Sequence, residues 1–241
     1  MRRTKLALMQ PYFFPYLGYF ELIRLVDVWV VFDTVKYTPQ SWMTRNRLLH
    51  PDGGWQYIRV PVKRPGEGEM LGDVMLVDAP DALRRMVRQI DHYRARGAPF
   101  FGPVRELIER TFSNAPSGLL VDLCLAGLVE TCAYLSVPFE PHRLSKMDIR
   151  LPPVSHAGGW GPEISSALKA DVYINAPGGR GLFQPGDFAT RGIELQFLKP
   201  DPFCYATPGY EFVENLSIID VLMWNAPEAV RDRLAQAAVQ P

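Results

Sequence analysis

The sequence predicts an α/β protein with a Rossmann-like, mostly parallel sheet and an inserted helical layer or small lobe. Three observations predict it. Short apolar runs of strand length recur between segments of helical periodicity, the alternation that βαβ units require. A cluster of helical segments over 81–135 interrupts that alternation, read as a sub-lobe within one domain spanning 1–241. The chain of 241 residues, 47% of them hydrophobic, is long enough to close a core without disulfides, metal or a partner.

In chain order, Lys5–Met9 reads as a short buried strand. Pro11 and Pro15 supply no ladder donor, so the chain must turn after it. From Tyr16 onward, Leu17, Phe20, Leu22, Ile23 and Val26 fall at helical spacing, and 28–32 is a second apolar run. A helix of about ten residues is at the short end of what a right-handed parallel crossover needs. Residues 34–51 form a polar, aromatic and basic connection leading to an alternating strand over 55–62, and Pro65, Gly66 and Gly68 mark 63–72 as an exposed loop. Helices are predicted over 81–96, with Asp81 as its cap, over 101–112 and over 117–135, the last apolar almost all round and therefore buried. There follow a strand over 137–142, a short helix over 162–169 opened by its proline, a strand over 171–175 and a Gly-rich turn over 176–181. A final strand over 193–198 and helices over 216–224 and 227–238 complete the chain.

Composition excludes several classes. The 26 basic residues cancel 26 acidic ones, which argues against disorder and against unspecific phosphate binding, leaving an aminoacyl-tRNA donor as the one nucleic acid to consider. No stretch approaches eighteen apolar residues, and Arg2, Arg3 and Lys5 lead into only four apolar residues before Gln10. We therefore expect no membrane span or signal peptide, and a cytoplasmic protein. Cys124, Cys132 and Cys204 show no metal spacing and suit a reducing compartment. Cys124 and Cys132 read as small buried hydrophobes, and nothing marks Cys204 as activated. No metal site is expected.

The densest unusual segment follows the first strand, where an open α/β sheet keeps its ligands. Gln10, Tyr12, Tyr16 and Tyr19 bring more polar tips than a plug needs, and the helix start around Gly18 offers free N–H groups to an anion. After the second strand come Asp33, Lys36, Trp42, Arg45, Asn46 and Arg47, with two arginines able to grip a phosphate or carboxylate. His92, near a helix end, is the histidine kept as an acid/base candidate; a solvated surface position is its competing reading. The Gly-rich stretches 155–162 and 177–181 match neither phosphate-loop pattern, but either would let backbone approach a ligand, with Arg180 placed for an anion. Ser217 with Asp220 resembles a capping box, a structural assignment.

Residues 9–23, the Trp42–Arg47 stretch and 216–222 together resemble the WbqC-like proteins over nearly the whole chain. That family is associated with O-antigen and other surface-polysaccharide clusters, so the resemblance implies a biosynthetic role in making or decorating an unusual sugar. It adds Tyr205 to the substrate-binding set. Thr207 stands where the family carries glutamine, which makes a secondary-metabolite substrate the alternative. A second likeness, to the HxGH loop of adenylate-forming ligases and nucleotidyltransferases, lies in Pro11, Pro15 and Gly18, with Tyr16 and Tyr19 at the histidine positions and Lys146 near a second loop. It implies ATP and magnesium as cofactors. The combined expectation is an enzyme forming an amide or ester bond, an ATP-dependent amide ligase or an acyl or aminoacyl transferase, joining an acyl group to an amino-sugar or other small amine. In it Lys36 or Lys146 neutralises charge, His92 or Asp33 takes the amine proton, and Gln10, Tyr12, Tyr16, Gly18, Tyr19, Trp42, Arg45, Asn46, Arg47, Arg180 and Tyr205 bind substrate. A docking component or a glycosyltransferase is the alternative.

Overall fold

A computed structural model of the chain describes residues 2–241. The strands are β1 (Lys5–Met9), β2 (Val28–Val31), β3 (Arg45–Leu49), β4 (Trp55–Arg59), β5 (Pro141–Arg143), β6 (Val172–Asn175), β7 (Glu194–Leu198) and β8 (Val239–Gln240). The helices are α1 (Leu17–Leu25), α2 (Ala79–Ala95), α3 (Phe101–Ser113), α4 (Leu120–Tyr134), α5 (Trp160–Ala167), α6 (Pro185–Ala189), α7 (Ile218–Trp224) and α8 (Pro227–Ala235).

Six strands form one sheet in the order β5-β2-β1-β6-β7-β8, parallel throughout except for the β7–β8 pair. The predicted α/β class with a mostly parallel sheet is what the chain adopts. Alternate residues of each central strand enter two different apolar clusters. Ala7, Trp29, Val31, Val172 and Ile174 join one, and Leu6, Leu8, Val30 and Tyr173 the other. Both faces are therefore covered, which explains why these strands read as continuous apolar runs. The first cluster also takes in Val104, Leu107 and Leu128, so α3 and α4 pack into the same core as the sheet. With nine buried residues spread around it, α4 runs through that core as its all-round apolar pattern required.

Several details differ from the sequence expectation. The connection after β2 contains a strand: β3 pairs antiparallel with β4 as a separate hairpin, Arg45 opposite Arg59 and Leu49 opposite Trp55. Its inward residues are Asn46 and Leu48, and a buried asparagine hid the alternation. Asp78, not Asp81, caps α2, accepting the Asp81 N–H at 2.7 Å, with proline tolerated in the first turn. The strand foreseen over 137–142 is only Pro141–Arg143, and the last helix ends at Ala235 so that Val239 can pair with Leu198, making β8 the final strand.

Candidate functional site

The bend after β1 is built by three distant segments. Phe14 takes a left-handed φ of 40°, an uncommon conformation for a bulky residue that its surroundings must hold. The Asn46 amide donates to the carbonyls of Phe13 (3.0 Å) and Phe14 (2.8 Å), and the Ser217 hydroxyl donates to Phe14 as well (2.7 Å). Backbone bonds complete the clamp: Phe13 N–H to Trp42, Ser217 N–H to Arg47 and Ile218 N–H to Pro15. Ser217 does cap α7, its hydroxyl accepting the Ile219 N–H, but it also ties that helix to the bend. The stretches 9–23, 42–47 and 216–222 thus meet at one place.

Beside the clamp lies a cavity of about 900 Å³ over the carboxyl ends of β1, β6 and β7, where residues such as Met9, Asn175 and Leu198 line it. Neighbours of β1 on its two sides come from different halves of the chain, the crevice position at which open parallel sheets hold ligands. Gln10, Tyr12, Tyr16, Gly18 and Tyr19 wall it from the bend and α1, Trp42, Asn46 and Arg47 from the hairpin, and Tyr205 from the segment before α7. A Cβ on Gly18 would lie 2.5 Å from the Tyr16 ring, so the absent side chain makes room for that ring. The Tyr19 hydroxyl donates to the Gln10 carbonyl at 2.5 Å.

Other expected site residues lie elsewhere. Asp33 is buried at the end of β2 and saturated, accepting from Arg143 Nε (2.8 Å), Ser145 N–H (2.9 Å) and Ser145 Oγ (2.6 Å). It faces β5, away from the cavity. Lys36 is exposed, and its backbone bridges to Met70. The His92 Nδ1 pairs with the Tyr210 hydroxyl at 2.6 Å, and burial, reinforced by His50, lowers its pKa. Arg45 belongs to a second groove, and Arg180 is exposed over the Phe197 ring at 4.3 Å. None of these five lines the cavity. Thr207 is buried and donates to the Tyr210 carbonyl, so the residue that departs from the family pattern also sits outside it. The two Gly-rich stretches approach each other: a Cβ on Gly158 would fall 2.0 Å from the Leu182 carbonyl oxygen.

Sequence reasoning missed the acidic side of the cavity. Glu21, Asp201 and Glu214 line it, against Arg47 as its cation. Arg233 offsets part of this, lying 2.9 Å from Glu21 and 3.0 Å from Asp201. Burial raises the Glu21 pKa, with Arg233 opposing. A carboxylate one turn after Leu17, on the buried face of α1, was the available signal. Such a lining does not fit the phosphates of ATP, and Lys36 and Lys146 are not at hand to neutralise them. An ammonium group suits it better than an anion.

Asp220, read as half of a capping box, is fully buried instead. It accepts the hydroxyls of Tyr93 at 2.5 Å and Tyr205 at 2.6 Å. Burial pushes its pKa up to about 6, the tyrosine hydrogen bonds opposing. Burial, and then the Asp220 charge, push the Tyr205 hydroxyl well above the ordinary tyrosine range. Tyr205 therefore connects the cavity wall to a proton acceptor behind it. Among the described residues, no three His, Cys, Asp or Glu side chains are arranged to hold a metal ion, and no helix is long and apolar enough to cross a membrane.

The profile of the WbqC-like protein family matches residues 10–232. The uncharacterized protein Rv1507c of Mycobacterium tuberculosis is 32% identical over 229 residues, covering 93% of this chain and 95% of that protein. No solved structure matches the chain at a significant level.

Proposed function

Because this chain belongs to the WbqC-like protein family, we propose that it is a biosynthetic enzyme which transfers an acyl or aminoacyl group to the amine of an amino-sugar or similar small molecule. The observation that carries this reading is the tyrosine-walled cavity whose ionisable lining is mainly carboxylate and whose Tyr205 is backed by Asp220. Glu21, Asp201 and Glu214 suit the ammonium form of an amine on arrival, and the tyrosines suit the hydroxyls and apolar face of a sugar ring. In the transfer, one of these carboxylates takes a proton from the ammonium, the freed amine nitrogen bonds to the acyl carbonyl carbon, and the bond from that carbon to the donor's leaving oxygen breaks. The second proton lost by nitrogen passes to the Tyr205 oxygen as Tyr205 gives its own to Asp220, and the relay then runs back to protonate the leaving oxygen, so that Asp220 ends ionised again. Transfer from an already activated donor is favoured over ATP-dependent ligation, since the lining offers phosphates little. A concave site favours an enzyme over a docking component. The setting of this reading is surface-polysaccharide synthesis in the cytoplasm, with secondary metabolism as the alternative.

The test is to incubate the purified protein with amine-bearing sugars and activated acyl donors and to read product masses. An amine gaining one acyl group in place of one hydrogen, lost in Tyr205→Phe, is the expected result. A glycosidic product, or retention of ligands with no product from any pair, would overturn it.

A further inference from the structure

On the exposed face of the β3–β4 hairpin, arginines interleave with aromatic rings. The Arg47 guanidinium lies 5.7 Å from the centre of the Trp42 ring and 5.3 Å from that of Trp55. Arg45 and Arg59 lie 4.5 and 4.9 Å from the Tyr57 ring. Beyond them a groove of about 630 Å³ is completed from α2 by Arg85, Arg88 and Gln89. No aspartate or glutamate is among the described residues lining it. Arg85 is tied to Asp81 at 2.5 Å, whereas Arg45, Arg59 and Arg88 have no carboxylate partner among the described residues, and the Arg45 Nε is buried without a hydrogen bond. A balanced net charge conceals this patch.

We propose that this face binds the single-stranded end of a nucleic acid and leads its terminus into the cavity, where the acyl group it carries as an ester is the donor. The assignment rests on the acyl-transfer reading above. Arg45 and Arg47 alternate on one strand, about 6.6 Å apart at 3.3 Å per residue, and Arg47 belongs to the cavity while Arg45 belongs to the groove. The track is therefore continuous. Guanidinium groups spaced along an extended strand suit successive phosphates, and Trp42 and Trp55, 39% and 43% exposed, leave ring surface for bases. A nucleoside diphosphate has the same chemistry but fills only one end. In the transfer the ester C–O bond to the terminal ribose breaks as the C–N bond forms, and the ribose oxygen takes a proton.

The experiment is fluorescence anisotropy with a short single-stranded RNA bearing a free 3′-hydroxyl, across a salt series, with a nucleoside diphosphate and polyglutamate as comparison probes. About four phosphate contacts predict a log K against log salt slope near −3, at about 0.7 per contact on a single strand. Arg59→Ala with Arg88→Ala, both exposed, removes about half of that slope and leaves the melting temperature in place. Trp55→Ala weakens binding about 5- to 150-fold, the equivalent of one lost base stack. Absence of RNA binding, equal binding of RNA and the diphosphate, binding of polyglutamate as tight as RNA, or indifference to the double variant would each overturn the proposal. Amide formation from a small-molecule donor by the double variant would leave the acyl-transfer reading standing, so the two can fail separately.

Discussion

Asn46→Asp changes one nitrogen to oxygen in the side chain that holds the bend to the hairpin. The Asn46 Nδ2 donates to two buried carbonyls, Phe13 at 3.0 Å and Phe14 at 2.8 Å, while its Oδ1 accepts the Arg47 N–H at 2.9 Å. Aspartate keeps the last bond and reverses the first two, presenting lone pairs to carbonyl oxygens. Each buried acceptor left unmatched costs about 1–3 kcal/mol, and Phe14 retains the Ser217 hydroxyl, so the loss should be about 2–4 kcal/mol at neutral pH. The introduced carboxyl is favoured protonated in the folded state, where its O–H restores one donor. Its folded pKa is thus above its unfolded one, and the deficit is smallest in acid and grows as pH rises through that window. Urea melts of both proteins at pH 5 and pH 8 measure it. Equal stability at pH 8, or a deficit independent of pH, would refute the reasoning that this amide clamps the site.

Asp220 supplies a second pH dependence. Its pKa of about 6 in the folded chain exceeds the ordinary 3.8, so its ionisation costs stability: the contribution of this group is most favourable below about pH 4 and falls by on the order of 3 kcal/mol as pH rises through 6. Asp220→Asn should flatten that slope in pH-dependent melts and remove the acidic limb, near pH 6, of any acyl-transfer profile; an unchanged profile would confine the residue to packing. Gly18→Ala should gain up to about 1 kcal/mol of helix propensity yet drive the Tyr16 ring into the cavity, so melting temperature holds while amine binding weakens. Thiol titration of the native protein should count one fast cysteine, the exposed Cys204. Burial pushes the Cys132 thiol up to about 12 and Cys124 higher still, and all three should react in denaturant.

The fold was legible where burial imposes a period. Leu6 and Leu8 against Ala7, and Leu17, Phe20 and Leu22 on α1, reveal their elements because apolar side chains have to reach a core. Strand β3 was not legible, since one of its two inward residues is Asn46 and the opposite face carries Arg45 and Arg47. The bend and the hairpin were recognised as unusual, but their meeting depends on Ser217, which lies 203 residues from Phe14 in sequence. Asp33 ends its strand at the same sheet edge as the cavity, and the edge alone cannot tell that it turns to Arg143, 110 residues away. Likewise, His92 has the side chain of an acid/base but the position of a partner for Tyr210. Asp220 among Ile219, Val221 and Leu222 was, with Glu21, a buried-charge signal visible in advance, and a cap was the simpler explanation for it.

The most direct test is a crystal of the protein soaked with an amine-bearing sugar. The account predicts ligand in the cavity between Tyr16 and Tyr205, its nitrogen within hydrogen-bond distance of Glu21, Asp201 or Glu214. A ligand seated outside that cavity, or one that turns a carboxylate or phosphate toward those three acids, would contradict it.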